Sequence, residues 1–321
     1  MGQNMQVMRL TGPAEKPTLI EEEAPQPQPG RGELLIRVVA AGVTPTELKW
    51  YPTTHLKTGE KRTGAIPSHE FSGIIAAVGE EVADVKIGSE VYGMNDWFAD
   101  GALAEYCVTQ PASVATKPAR LTHIEAASVP IGALPAWQGL FDHAKLQAGE
   151  RVLVHGGSGG VGLFAVQLAR NQGAHVIATA SAHNLEFVSG LGAEQVIDYQ
   201  AARFEERVRD IDVVFDTVGG ETLERSWAVL KPNGRMVTIA ADAEGNTDGR
   251  VKQAFFIVEP NRKELIEIGK LLDAGQLQTT VDAVVPFSQA PAAFTGAVQG
   301  RLGRGKLVVT LAAAGSAIGI G

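Results

Sequence analysis

The chain passes from a short apolar run, Arg151-Val152-Leu153-Val154-His155, through residues 156–162, five of which are glycine, directly into Leu163-Phe164-Ala165-Val166-Gln167 at helical spacing, which Gly173 closes. A strand, a glycine turn and a helix in that order constrain the fold more than any other feature. Gly156, Gly159 and Gly162 carry the spacing that a phosphate-binding turn needs. Such a turn is tight, its backbone is bare enough for a pyrophosphate to approach, and the helix behind it offers free N–H groups and a partial positive charge. Together with Ser158, Gly160 and Val161, these residues are expected to bind a dinucleotide. A strand-to-helix turn with no ligand would not need so many glycines.

The same alternation continues beyond the turn. Strands are expected at 174–179, around 195–199, at 212–216 and at 235–240, with helices near 184–189 and over 221–230. This order argues for an α/β fold with a parallel, doubly wound sheet covered by helices on both faces. Phe255-Phe256-Ile257-Val258 reads as its sixth strand. A helix over 262–273, stopped by Gly275, follows, then strands at 281–285 and 306–310 around a helix near 290–298. Since the parallel sheet already has six strands by Val258, the last strand is expected to rejoin the first domain. That first third reads as strands at 34–40, 73–78, 90–93 and 104–108, preceded by a rigid turn at Pro25, Pro27, Pro29 and Gly30 and punctuated by glycines at 73, 79, 88, 93 and 101. This is the pattern of a compact, irregular β-barrel.

Composition narrows the partners. Lys and Arg number 28 against 36 Asp and Glu, a formal net charge of −8, which opposes binding to a nucleic-acid backbone. The one cysteine, Cys107, allows no internal disulfide and no multi-cysteine zinc site, and suits a reducing, cytoplasmic setting. The first residues lack the charged start and apolar stretch of a secretory signal. The most apolar segment, 307–321, is too short for a membrane span, so no membrane partner is expected. The choice of dinucleotide rests on the end of the second strand, Thr179-Ala180-Ser181-Ala182-His183-Asn184, where an NAD site usually carries Asp or Glu. No acid appears before Glu186, and Ser181 and His183 can donate to a 2′-phosphate, which favours NADP. No Arg or Lys lies in that stretch, so the cation must come from elsewhere or be missing.

At these residues the chain resembles the medium-chain dehydrogenase/reductase superfamily, specifically its zinc-independent quinone oxidoreductase, or zeta-crystallin-like, branch. The likeness is carried by Gly149-Glu150, Leu153, Ser158-Gly159-Gly160-Val161-Gly162, Gln167 and Arg170. It continues through Pro67-Ser68-His69-Glu70-Phe71-Ser72-Gly73, residues 101–106, Gly190-Leu191-Gly192-Ala193, residues 216–220, and Gly303-Arg304-Gly305-Lys306-Leu307-Val308. Gly157 departs from the pattern, where a small non-glycine residue is usual. The resemblance implies a GroES-like β-barrel catalytic domain over 1–121, a Rossmann NADP-binding domain over 122–274, a return to the first domain over 275–311 and a loose tail at 312–321. It also implies that cofactor and substrate meet in the cleft between the two.

In the zinc alcohol dehydrogenases of that superfamily two Cys and a His hold the catalytic metal. Where the first Cys would fall this chain has Thr44, and no metal site is expected. His69 is then either a hydrogen-bonding residue at the cleft floor or a group that orients substrate. Relatives often carry Asn-Pro-x-Asp where this chain has Thr44-Pro45-Thr46-Glu47, so Thr44 is expected at the substrate or the nicotinamide ribose, while Tyr51 is either the proton donor or a packing residue. Pro135 stands where a cofactor-contacting Thr is usual. Tyr199, Val218, Ile239, Ala240 and Lys306 are either cofactor contacts, by resemblance, or plain strand ends. The implied activity is hydride transfer from NADPH to a quinone or an α,β-unsaturated carbonyl. The alternatives are a dinucleotide-binding protein with little turnover and a zinc-independent alcohol or carbonyl dehydrogenase. Relatives pair the last strand of this sheet across a twofold axis, so a homodimer through the Phe255-Val258 edge is expected.

Overall fold

A computed structural model describes residues 3–12, 16–83 and 85–311. The expected loose tail, 312–321, lies outside the described residues. In chain order the elements are β1 (Asn4–Thr11), β2 (Thr18–Pro25), β3 (Leu34–Gly42), α1 (Tyr51–Thr54), β4 (Glu70–Val78), β5 (Glu90–Met94), β6 (Tyr106–Thr109) and β7 (Val114–Thr116). There follow α2 (His123–Ala127), α3 (Pro130–Trp137), β8 (Arg151–Val154), α4 (Gly162–Asn171), β9 (His175–Ala180), α5 (Leu185–Gly190), β10 (Gln195–Asp198) and β11 (Ile211–Asp216). The last are α6 (Gly220–Ser226), β12 (Leu230–Thr238), α7 (Gly249–Ala254), α8 (Arg262–Asp273), β13 (Val281–Pro286), α9 (Ala290–Thr295) and β14 (Lys306–Thr310).

The parallel sheet runs β10-β9-β8-β11-β12. Its inner strands are buried on both faces, which is why they read as unbroken apolar runs. Val152 and Val154 of β8 and Val213 and Phe215 of β11 pack into one core with α3, α4 and α8. Their alternates Leu153 and Val214 pack into the other with Ile211, which precedes a register shift in β11, and with Leu223 and Val251 of α6 and α7. Each such side chain, fully buried, contributes about 1.5–3 kcal/mol relative to an exposed one. The strand order reverses between β8 and β11, so the loops that follow these two strands face each other across a crevice.

The expected sixth strand does not form. Phe255 makes a single bridge to Thr238, beside β12, and the chain then leaves the sheet. The reason lies in where its backbone groups find partners: the Val258 carbonyl accepts from Trp97 Nε1 at 2.9 Å, and the Gln138 side chain binds both the N–H and the carbonyl of Glu259. Side chains of other elements satisfy polar groups that a neighbouring strand would otherwise take.

The second sheet runs β13-β14-β3-β4-β5-β7, with β6 also on β3. β14 thus rejoins the sheet built by the first third of the chain, Val308–Thr310 lying antiparallel to Ala40–Gly42 of β3. Among the described residues this path of strands does not close, so the expected barrel is an open sheet. β3 shows why: β4 takes one edge, while the other is shared by β6 at Leu34–Arg37 and by β14 at Ala40–Gly42. The β1–β2 hairpin forms a separate two-stranded sheet. It docks through the Val7–Ala104 bridge and the Leu10 N–H to Ala65 carbonyl bond. No helix among the described residues is long and apolar enough to cross a membrane.

Candidate active site

The two sheets meet around a cleft of about 640 Å³. One wall comes from the parallel sheet: Gly159, Gly160 and Val161 of the glycine turn, Thr217 and Val218 after β11, and Ile239 to Asp242 after β12. The other comes from Val43 to Thr46 after β3, with Trp50, Pro52 and Trp97. The segment from Gly305 to Leu307 closes the floor.

The glycine turn is shaped by close approach. Gly156 has φ +74°, and a Cβ on it would lie 2.6 Å from Thr217 Oγ1 in the facing loop. A Cβ on Gly162 would lie 2.0 Å from the Gly156 carbonyl oxygen. Thr217 ties the two loops together by donating to the His155 carbonyl at 2.8 Å. A bare backbone fold of this kind, opening into α4, fits a pyrophosphate. Asp216 serves the facing loop, its carboxylate accepting from the backbone of Val218 and Gly219 and from Thr238 Oγ1. Burial raises its pKa, against those hydrogen bonds.

The approach to β14 is stitched to this turn. Gly159 bridges Gly305, whose N–H donates to the Ser158 carbonyl at 2.8 Å. That register carries Lys306 along the open face of Gly160, where a Cβ would meet its side chain at 2.6 Å. Lys306 Nζ donates to Thr44 Oγ1 at 3.1 Å and is paired with the buried Glu70 carboxylate. The second Glu70 oxygen accepts from the Ile131 N–H at 2.8 Å. Burial raises the Glu70 pKa, with Lys306 pulling it back.

The structure brings Thr44, Gly159, Gly160, Val161, Val218, Ile239, Ala240 and Lys306 to the cleft. Pro135, in place of the usual Thr, also borders it. Gly156, Ser158 and Gly162 shape the turn behind the lining. Tyr51 is not at the cleft: it is 46% exposed and stacks on His55, with ring centroids 4.5 Å apart. The short α1 turns Thr53 inward and leaves Tyr51 outside, while its neighbours Trp50 and Pro52 face the cavity. His69 is also off the lining. Its ring is buried behind Trp97, with Nδ1 3.1 Å from Glu47 Oε2 and Nε2 3.2 Å from the Ala99 carbonyl. Of its two expected roles it fills the hydrogen-bonding one. Tyr199 is 59% exposed and does not border the cleft.

Ser181 and His183 lie together beyond β9, with Ser181 Oγ 3.4 Å from His183 Nε2. Although that stretch carries no Arg or Lys of its own, Arg304 reaches it, donating to Asn184 Oδ1 at 2.7 Å and to the His183 carbonyl at 2.9 Å. Asn184 in turn donates to Ser158 and Ser181 at 3.3 Å each, linking the second strand end to the glycine turn. Arg304 and Asn184 are the residues that sequence reasoning missed. The only signal was the Gly303-Arg304-Gly305-Lys306 string, which by itself says nothing about what the arginine faces. Glu47 is a further addition, since its carboxylate also accepts from the Ser68 N–H and so holds a residue at φ +64°.

Comparison with known proteins gives the same picture at the level of sequence and fold. Residues 30–119 match the alcohol dehydrogenase GroES-like domain, and residues 191–309 match the zinc-binding dehydrogenase family. A mitochondrial NAD(P)H oxidoreductase of Danio rerio is 32% identical over 87% of this chain and 84% of its own length. The 2-methylene-furan-3-one reductase of Solanum lycopersicum is 32% identical, over 84% of this chain and 69% of its own. The solved quinone oxidoreductase of Coxiella burnetii superimposes with a TM-score of 0.84 at 30% identity, covering 97% of this chain and all of that one.

Proposed function

The chain belongs to the medium-chain dehydrogenase/reductase family, in its quinone-oxidoreductase-like branch, and from that premise we propose that it is an NADPH-dependent reductase of quinones or α,β-unsaturated carbonyls that works without zinc. The observation that carries the reading is that one cleft is lined by the glycine turn, by Thr44 on the facing wall and by Lys306 between them. A nicotinamide dinucleotide cofactor is common ground with relatives named for NAD(P)H. The choice of NADP is supported by Ser181, His183 and Arg304, which cluster where a 2′-phosphate would be held.

When bound, the cofactor supplies hydride chemistry that the side chains lack. The protein's own part is to bind, orient and exclude water. Gly159 to Val161 would receive the pyrophosphate, and Val218, Ile239 and Ala240 border the space beyond it. Trp50, Trp97 and Ile257 give the remaining wall an apolar surface. Zinc independence is supported by the donor set. Thr44 stands where related zinc enzymes have a thiolate, and among the described residues no three His, Cys, Asp or Glu side chains converge as metal ligands would. A quinone or enone is already polarised, so its reduction needs a Lewis acid less than alcohol oxidation does.

A homodimer and a cytoplasmic setting belong to the same proposal. The test is a panel of quinones and enones assayed with NADPH and NADH in parallel, with a chelator present. NADPH-dependent turnover that survives the chelator is expected. Saturable NADPH binding with no consumption across the panel would instead make the chain a cofactor-binding protein.

A further inference from the structure

Thr44, Lys306 and Glu70 form a buried polar set in an otherwise apolar end of the cleft. Lys306 and Glu70 are both buried, and Nζ is shared between the Glu70 carboxylate and Thr44 Oγ1. Two missing side chains leave the space. A Cβ on Gly42 would lie 2.4 Å from Glu70 Oε1, and one on Gly160 would lie 2.6 Å from Lys306 Cγ. A buried ion pair seldom repays its desolvation, so stability alone would be served as well by apolar residues of similar volume. What the pair gives is a fixed dipole whose positive end, the Lys306 ammonium, sits against Thr44 at the cleft, in surroundings of low polarity formed by Val43, Pro45, Trp97 and Ile131. Thr44 accepts the Lys306 hydrogen bond, which leaves its own hydroxyl proton to be aimed elsewhere, and Thr44 borders the cavity.

We propose that Thr44 and Lys306 are the oxyanion-stabilising pair of this cleft, Thr44 donating to the substrate's carbonyl oxygen while Lys306, anchored by Glu70, donates to Thr44 and polarises its hydroxyl. The inference rests on the reductase reading above. An enone that accepts hydride at its β-carbon gains one C–H bond and moves its π pair onto the carbonyl oxygen. The reduced nicotinamide is the reductant, and water later supplies the proton that completes the saturated ketone. The negative charge on oxygen is what preorganised donors stabilise more in the transition state than in the ground state. Thr44 is the catalytic residue in this arrangement, and Lys306 and Glu70 are positioning residues.

The test has two readouts on the full chain. In the first, cofactor-free protein is titrated with 4-nitrophenol, whose phenolate resembles the enolate and has its own absorbance. Wild type is expected to bind the phenolate in preference to the phenol, Thr44→Val and Lys306→Met to cut that preference about tenfold, and Lys306→Arg to restore part of it. In the second, kcat for a weakly activated enone is expected to fall about 100-fold in Thr44→Val while NADPH affinity holds. Wild type that turns over no quinone or enone overturns the reductase reading, and the phenolate titration then still decides the pair. Turnover and phenolate preference both within about twofold of wild type in Thr44→Val overturn the pair and leave the reductase reading standing. Thr44→Val keeps the Lys306–Glu70 contact, so it serves even where Lys306→Met fails to fold.

Discussion

Arg304 and Asn184 meet side chain to side chain, guanidinium Nε to amide oxygen at 2.7 Å, across 120 residues of chain. The contact presents a cation to the end of β9, and the guanidinium also lies over the Phe187 ring, 5.0 Å from its centroid. If that cation serves a 2′-phosphate, Arg304→Ala should weaken NADPH binding about 10- to 100-fold, the loss of one or two charge-assisted hydrogen bonds. NADH binding should change far less, since it has no phosphate there. Fluorescence titration of both cofactors checks this, and equal weakening of the two would remove the NADP reading.

The glycine turn makes a paired stability prediction. In Gly162→Ala the new methyl falls 2.0 Å from the Gly156 carbonyl oxygen, on a backbone held by the Gly156 turn at φ +74°. The substitution should cost about 1–3 kcal/mol in urea unfolding and weaken cofactor binding as well. Gly190→Ala in α5 meets nothing within 4 Å and has an ordinary φ, so it should instead stabilise the chain by roughly 0.4–1 kcal/mol.

His155, at the base of that turn, is buried with Nδ1 3.2 Å from Thr179 Oγ1 and Nε2 2.9 Å from Ser226 Oγ. Burial, with the Arg225 charge adding to it, pushes its pKa down to about 3. The unfolded chain takes up this proton near pH 6.5 and the folded chain does not, so the stability is present above pH ~6.5 and lost as pH falls toward 3. Between pH 7 and pH 5 this histidine should account for roughly 2 kcal/mol of lost unfolding free energy. Glu70 and Asp216, whose pKa values are raised, act in the opposite direction. The check is therefore the difference in urea stability between wild type and His155→Gln at the two pH values. A difference that does not shrink on acidification would show that His155 is protonated in the folded state.

Cys107 gives a simpler test. Burial pushes its thiol up to about 12, so it should resist iodoacetamide in the folded protein and react only after denaturation. Intact mass measured with and without urea decides it.

The elements with their own local signals were legible in the sequence. α8 shows this best. Asn261 caps its first turn by accepting from Lys263 and Glu264, Leu265, Ile268 and Leu272 recur on its buried face, and Gly275 ends it at φ +71°. The β1–β2 hairpin was not legible, because Glu21, Glu22 and Glu23 run together and only Leu19 and Ala24 of β2 are buried. Phe255 to Val258 is apolar for a reason that periodicity cannot separate from a strand: these residues border the cleft, and other elements hold their backbone. Arg304 escaped for the converse reason. Its partners lie on β9's far loop, and nothing in a glycine-flanked arginine points to them.

Gly42 joins the stability of the first domain to the chemistry of the cleft. It sits at the end of β3 opposite Val308, and its missing side chain is the space that the Glu70 carboxyl fills, since a Cβ there would lie within 2.4–2.6 Å of three Glu70 atoms. Neither neighbour can yield easily. Glu70 is fully buried, with one oxygen on Lys306 and the other on the Ile131 N–H. Gly42→Ala should therefore displace the carboxylate, leave Lys306 poorly paired and cost about 1–3 kcal/mol, like other overpacked core sites. Its effect on kcat should follow that of Glu70→Gln and should not add to it when the two are combined, because both act through the same contact. Additive losses in the double variant would mean that Gly42 is needed only for packing.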